Sequence, residues 1–260
     1  VTDISDRGVE GLEMAYDHYL EGKPSQYLVI KDRKGQVVHR LKQISPGQQG
    51  GVLKLSLDHR IQYVAYEALK KQVLASKAES GSVVVLDPRT GEVLAEVNYP
   101  SFNPNIGAAE GRKFARNRVF TDTFEPGSTL KPFSAMVAMT DGGFSLNSTV
   151  NTSPGRMKVE RYTIEDHGHD FGVLSLADIL KKSSNIGIAK IALQLPEGAL
   201  FGGLKRFGFG QSTLSGFPGE VSGKLVPPDP DHPAERAGLS FGYGLSVSTI
   251  QLASAYAVLA

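Results

Sequence analysis

No cysteine occurs in the chain. Disulfides, thiol catalysis and cysteine-ligated metals are therefore excluded, while an exported protein and one from a reducing compartment both fit the composition. Also missing is any apolar run approaching the roughly 20 residues that a bilayer-spanning helix needs, and the opening residues VTDISDRGVEG lack the basic-then-apolar plan of a secretory signal. Charge of one sign does not dominate either. Lysine and arginine total 28 against 27 acidic residues, a formal net charge of +1, so no broad positive field exists to hold nucleic acid. Internal repeats and low-complexity tracts are absent.

What is present suits a globular protein. With 260 residues and 40% hydrophobic content, the chain can bury one sizeable core with a smaller attachment. Residues 1 to 51 are polar and dotted with glycine. A short helical pattern near Leu12 to Leu20 is followed by two strand-like runs around a Lys34-Gly35 turn, which predicts a small helix-plus-hairpin module. Asp58 then serves as an N-cap for Ile61, Val64, Ala65, Ala68 and Leu69, recurring at helical spacing, so a long amphipathic helix opens a second domain. GSVVVLDPRTGEVLAEVN reads as a buried hairpin in the middle of a sheet, making this domain mixed α and β. Further on come a helix ending at Asp141-Gly142-Gly143, a polar stretch from 145 to 174 and a helix opened by Ser175. A glycine- and proline-rich surface excursion is expected from 210 to 238. The first residue is not methionine and STIQLASAYAVLA stops without a cap, so a longer parent protein is expected.

The stretch FEPGSTLKPF, residues 124 to 133, carries the chemistry. A helix starting near Ser128 places the Lys131 amine on the same face as the Ser128 hydroxyl, within hydrogen-bonding reach. Pro132 pins that start, because proline is tolerated only in a helix's first turn. Unpaired backbone N–H groups and the positive helix end favour the charge that develops when a serine attacks a carbonyl. For Lys131 to accept the serine's proton, burial and a second cation must lower its pKa from about 10.4 by roughly three units, about 4 kcal/mol. By itself Ser-x-x-Lys is a weak signal, since it arises by chance about once in a chain of this length and serine is a common N-cap.

A Ser-x-Asn element would complete such a site, and the sequence has three, at Ser101–Asn103, Ser145–Asn147 and Ser183–Asn185. The first two lie in turn-like surroundings. The third interrupts LADILKKSSNIGIAKIAL between two helical patterns, where a break in a buried helix pair would direct polar side chains into a cleft. EDHGHD, with His167 and His169, could suggest a metal site, but histidines two apart in a polar loop are more often solvated. Serine acyl transfer needs no metal or other cofactor.

FEPGSTLKP and KSSNIG resemble the first and second active-site motifs of the penicillin-binding transpeptidases. The flanking segments RNR and TDTFEPGST, GFPGE and SFGYGLSVSTIQLASAYA are similar to those of division-type class B enzymes of Gram-negative bacteria. DRGVEGLE resembles the end of their non-catalytic pedestal, and LSLDHRIQ the opening of their transpeptidase domain. The likeness implies an α/β (α+β) fold of the penicillin-binding transpeptidase and serine β-lactamase type, with a central antiparallel sheet flanked by helices. Residues 1–51 would close the pedestal and residues 52–260 form most of the transpeptidase domain.

By the same resemblance Ser128 would be the acylated nucleophile and Lys131 its proton acceptor. Ser183 would relay protons, Asn185 would bond Lys131 and the substrate amide, and Tyr243 would form a wall of the cleft. The implied reaction attacks the D-Ala-D-Ala amide of a peptidoglycan stem peptide and transfers the acyl group to a neighbouring stem's diamino-acid amine, with β-lactams trapping the ester. A lipid II glycosyltransferase and other division proteins would be partners, and an N-terminal helix outside these residues would anchor the domain in the periplasm. The family's third motif, Lys-Thr/Ser-Gly, has no counterpart in residues 1–260 and is expected beyond Ala260. Without that strand the segment alone is expected to be inactive. A serine β-lactamase, a penicillin sensor and a non-catalytic division scaffold are the alternative readings.

Overall fold

The computed structural model describes residues 7–103 and 114–260. They fall into two compact units, one from the described residues of 1–57, 100–117 and 216–218, the other from 58–99, 118–215 and 219–260.

In the first unit the helical pattern is split at Tyr16 into α1 (Gly11–Ala15) and α2 (Asp17–Leu20). The expected hairpin follows as β1 (Gln26–Lys31) antiparallel to β2 (Val37–Ser45). Its turn is fastened by Asp32, whose Oδ1 accepts the N–H groups of Lys34 and Gln36 at 2.8 and 2.9 Å.

The second unit opens on α3 (His59–Ser76), where the Asp58 side chain accepts the Arg60 N–H and Lys77 ends the helix in a left-handed conformation. Its covered face is narrower than the sequence periodicity implies. Ile61, Ala65 and Leu69 are half-buried, whereas Val64 is 65% exposed and Ala68 is also exposed. The helix lies against the hairpin β3 (Gly81–Leu86) and β4 (Val93–Tyr99). That hairpin was expected in the middle of a sheet. Among the described residues it pairs with no further strand, and only Ala95 and Val97 are buried.

After α4 (Arg118–Thr121) comes a 3-10 turn at Gly127–Leu130, running directly into α5 (Lys131–Asp141). The stretch read as merely polar holds four short strands: β5 (Thr149–Asn151) pairs with β8 (Val173–Ser175), and β6 (Arg156–Val159) with β7 (Tyr162–Glu165). Ser175 caps α6 (Leu176–Lys182) by accepting the Asp178 N–H, as the capping pattern predicts. Helices α7 (Asn185–Gln194) and α8 (Ala199–Arg206) follow, and α9 (Pro233–Ser240) and α10 (Thr249–Leu259) close the unit.

The core forms where α5, α7 and α8 meet. Phe133, fully buried, meets the edges of Phe207 and Phe209 at 5.2 and 5.0 Å, and Ile179, Ile188, Ile191, Leu200 and Leu204 fill the space around it. α7 is apolar on nearly every side, which is why it can sit inside the core instead of on it. The glycine- and proline-rich excursion has no regular element before Pro233. Buried Gln251 of α10 ties it down, donating through Nε2 to the Gly208, Gln211 and Ser222 carbonyls.

Candidate active site

Ser128 is exposed and occupies the second position of the 3-10 turn, one turn before α5. The expectation was an α-helix beginning at the serine; the tighter form has a geometric consequence. With three residues per turn, side chains at i and i+3 eclipse, so Ser128 stands in line with Lys131 along the turn. Pro132 lies in the first turn of α5, where its missing N–H costs nothing.

Lys131 is 2% exposed, a long cationic side chain drawn into the unit's interior. Its Nζ donates to the Ser183 carbonyl at 2.5 Å, to Ser183 Oγ at 2.9 Å and to Asn185 Oδ1 at 2.7 Å. These three bonds use all the donors of an ammonium group. The Lys131 backbone N–H donates to the Ser128 carbonyl, but among the described residues no hydrogen bond joins the Lys131 amine to the Ser128 hydroxyl, so the resting arrangement differs from the expected direct serine–lysine bond.

Burial pulls the Lys131 amine down from 10.5 to about 8, against the opposing pull of the Asp166 carboxylate. A second cation was expected to assist the shift. Burial, the other expected cause, produces it, and among the described residues the charge that acts on the amine is an anion that limits it. At pH 7 roughly a tenth of such amines are neutral.

Ser183 and Asn185 flank a break between two helices. Ser183 ends α6 in the left-handed region, φ 55°, a conformation that costs a serine about 1 kcal/mol or more and persists only where the surroundings fix it. Ser184 caps α7 by accepting the Gly187 N–H at 2.9 Å and donates to Asp166 Oδ2 at 2.6 Å. Asp166 Oδ1 accepts the N–H groups of Asn185 and Ile186 at 2.7 and 3.0 Å. Asn185 Nδ2 donates to the Glu165 carbonyl at 3.0 Å, which leaves its Oδ1 aimed at Lys131.

Asp166, 1% exposed, is the site residue that sequence reasoning missed. It lies in EDHGHD, the segment weighed as a metal cluster or a solvated loop. Its carboxylate is consumed by the start of α7. Asp170 accepts from Ser153 Oγ and the Gly172 N–H, and His169 stacks on Phe171. Among the described residues no group of three or more metal-ligating side chains converges.

Of the other two Ser-x-Asn matches, Ser101–Asn103 belongs to the first unit, and Ser145 is bonded to Ser148 in a surface turn.

The segment holding Tyr243 runs beside the Ser128 turn. Phe124 and Val247 exchange backbone hydrogen bonds at 3.0 and 2.9 Å, the Gly127 N–H donates to the Gly242 carbonyl at 3.2 Å, and Glu125 Oε1 accepts the Gly244 N–H at 3.1 Å. Tyr243 itself is 55% exposed and packs edge-on to Phe241. With Asn185 it lines a cleft of about 1080 Å³, bounded by β6 and β7 on one side and by Lys224 to Pro228 and α9 on the other.

The chain as a whole is similar to known proteins. A family model described as the penicillin binding protein transpeptidase domain covers residues 81–260. The probable peptidoglycan D,D-transpeptidase PbpC of Pseudomonas aeruginosa is 41% identical over 260 residues, covering 100% of this chain and 46% of that protein. The peptidoglycan D,D-transpeptidase FtsI of Escherichia coli is 42% identical over 258 residues, covering 99% and 43%. Among solved structures, the TP domain of Burkholderia pseudomallei penicillin-binding protein 3 superposes with a TM-score of 0.70 at 40% identity, covering 79% of this chain and 57% of that one. The chain thus spans less than half the length of these two curated relatives.

Proposed function

This chain belongs to the penicillin-binding protein transpeptidase family, in its class B branch of Gram-negative type, and we propose that it carries out the serine acyl transfer of a peptidoglycan D,D-transpeptidase in septal wall synthesis. The observation that carries this reading is the buried Lys131 amine, its pKa depressed, held between Ser183 and Asn185 at the base of the Ser128 turn.

In the proposed cycle the neutral Lys131 takes the Ser128 hydroxyl proton as Oγ attacks the penultimate D-Ala carbonyl. The amide C–N bond then breaks, and the departing D-Ala amine receives its proton through Ser183, which is hydrogen-bonded to Lys131. An amine of a second stem peptide attacks the ester, gives up a proton by the same route, and Ser128 leaves as the hydroxyl. Asn185 would hold the Lys131 amine and the substrate amide together, and Tyr243 would form the cleft wall beside them. A β-lactam would acylate Ser128 in the first step and block the second.

Residues 1–51 would belong to the pedestal and 52–260 to the transpeptidase domain. The whole protein would act at the periplasmic face of the inner membrane with a lipid II glycosyltransferase and other division proteins.

Labelling the longest natural form with a fluorescent penicillin tests the reading. A stable covalent label that disappears in Ser128→Ala supports it. Rapid release of the label would favour a β-lactamase, and no serine-dependent label would favour a scaffold.

A further inference from the structure

Tyr256 lies in α10, 127 residues beyond the nucleophile's turn, yet its hydroxyl donates to the Thr129 carbonyl at 2.7 Å. Thr129 is the residue directly after Ser128. We infer that Tyr256 is a positioning residue for the nucleophile, its hydroxyl holding the 3-10 turn in which Ser128 stands in line with Lys131. The inference rests on the acyl-transfer reading above.

The tether is anchored in the core. The Tyr256 ring meets the edge of Phe133 at 4.8 Å, and Phe133 is fixed in turn by Phe207 and Phe209. Burial pushes the Tyr256 phenol above its usual range, so the hydroxyl keeps its proton and remains a donor. Phe133 belongs to α5, the helix that carries Lys131. One aromatic cluster therefore locates the lysine's helix and, through Tyr256, the serine's turn.

The turn needs such a tether because its shape is a choice between two helical forms. A 3-10 turn advances about 120° per residue and an α-turn about 100°, so relaxation toward α would swing Ser128 about 60° around the axis relative to Lys131. Local bonds resist this on one side. The Thr129 N–H and Oγ1 donate to the Pro126 carbonyl at 3.3 and 2.7 Å. Gly242 blocks another direction: a Cβ there would lie 2.1 Å from the Gly127 carbonyl oxygen, so the FGYG backbone is pressed directly against the turn. Tyr256 supplies the restraint on the Thr129 carbonyl. A group misplaced by about 1 Å can lose on the order of a hundredfold in rate, which makes a modest tether consequential.

Tyr256→Phe in the longest natural form tests this, because it deletes the hydroxyl and keeps the ring against Phe133. The probe is a fluorescent penicillin in stopped flow, resolving the non-covalent Kd from the acylation rate constant. The acylation rate constant is expected to fall about three- to tenfold, as for loss of one neutral hydrogen bond, with Kd within about twofold of the parent. A merely structural tyrosine would lower the labelled fraction or the Tm and leave that rate constant untouched. Gly242→Ala, which displaces the turn at Gly127, is the reference and is expected to slow acylation further. If Gly242→Ala slows acylation and Tyr256→Phe matches the parent, the role of Tyr256 is overturned alone. A parent that takes no Ser128-dependent label overturns the acyl-transfer reading instead.

Discussion

Asp166 and Asn185 are joined by a 2.7 Å hydrogen bond from the Asn185 backbone N–H to the buried carboxylate. The same carboxylate binds Ser184 and Ile186, so one side chain 19 residues upstream fixes the strained break that presents Ser183 and Asn185 to Lys131. The catalytic proposal depends on that break more than on either helix.

Asp166→Ala should therefore damage both stability and chemistry. Removing the acceptor leaves the buried Ile186 N–H, the half-buried Asn185 N–H and the buried Ser184 hydroxyl without their partner, a loss of about 3 kcal/mol. Thermal unfolding should show a lowered Tm, and penicillin acylation should slow by more than the folded fraction accounts for.

Asp166→Asn separates charge from anchoring. The carboxylate raises the Lys131 pKa, so neutralising it should let the amine fall below about 8. Protons then leave Lys131 at lower pH, and the acidic limb of the acylation profile should move down. An unmoved limb would mean that Asp166 does not act electrostatically on Lys131.

Gly203→Ala tests how closely α5 and α8 pack. A Cβ at 203 would lie 2.2 Å from Val137 Cγ2 and 2.9 Å from Cγ1, a clash that the buried helix pair must relieve by moving. Overpacking of this kind costs about 1–3 kcal/mol, readable as a lower denaturant midpoint.

Glu220 should govern the order of residues 211–220. Its carboxylate accepts from Ser212 Oγ, from Thr213 N and Oγ1, and from Ser215 N and Oγ. Burial alone would raise its pKa, but the bonds from Ser215, Thr213 and Ser212 outweigh it and hold the carboxyl below its usual range. A depressed carboxylate contributes stability above its unfolded pKa and loses it as the pH falls through the folded value. Protection factors for amide exchange in this loop, corrected for the intrinsic rate, should fall on acidification through the folded pKa, and at neutral pH in Glu220→Gln.

Local signals were readable in the sequence where their physics is local. The Asp58 and Ser175 caps act within three residues of themselves, Pro132 can occupy only a first turn, and the Lys34-Gly35 turn closes on an adjacent aspartate. Strands β5 to β8 were hidden because each is three or four residues long and carries at least one polar residue (Thr, Asn, Arg, Lys, Glu or Ser), too short for a period of two to register. The role of Asp166 is invisible to spacing, since its partners begin 18 residues away, and Lys131 meets Ser183 across 52. The same limit applies to Ser128. Its spacing from Lys131 placed the two residues one turn apart, but could not say that the turn is 3-10 or that the resting amine bonds Ser183 instead.

The most direct test of the neutral-lysine account is the pH dependence of Ser128 acylation by a penicillin, measured in the longest natural form and in Lys131→Arg. The account predicts a rate that climbs through a midpoint near pH 8, with about a tenth of the plateau at pH 7, and essentially no acylation in Lys131→Arg, whose side chain never becomes neutral. A rate independent of pH between about 6 and 9, or an arginine variant that acylates at the parental rate, would contradict it.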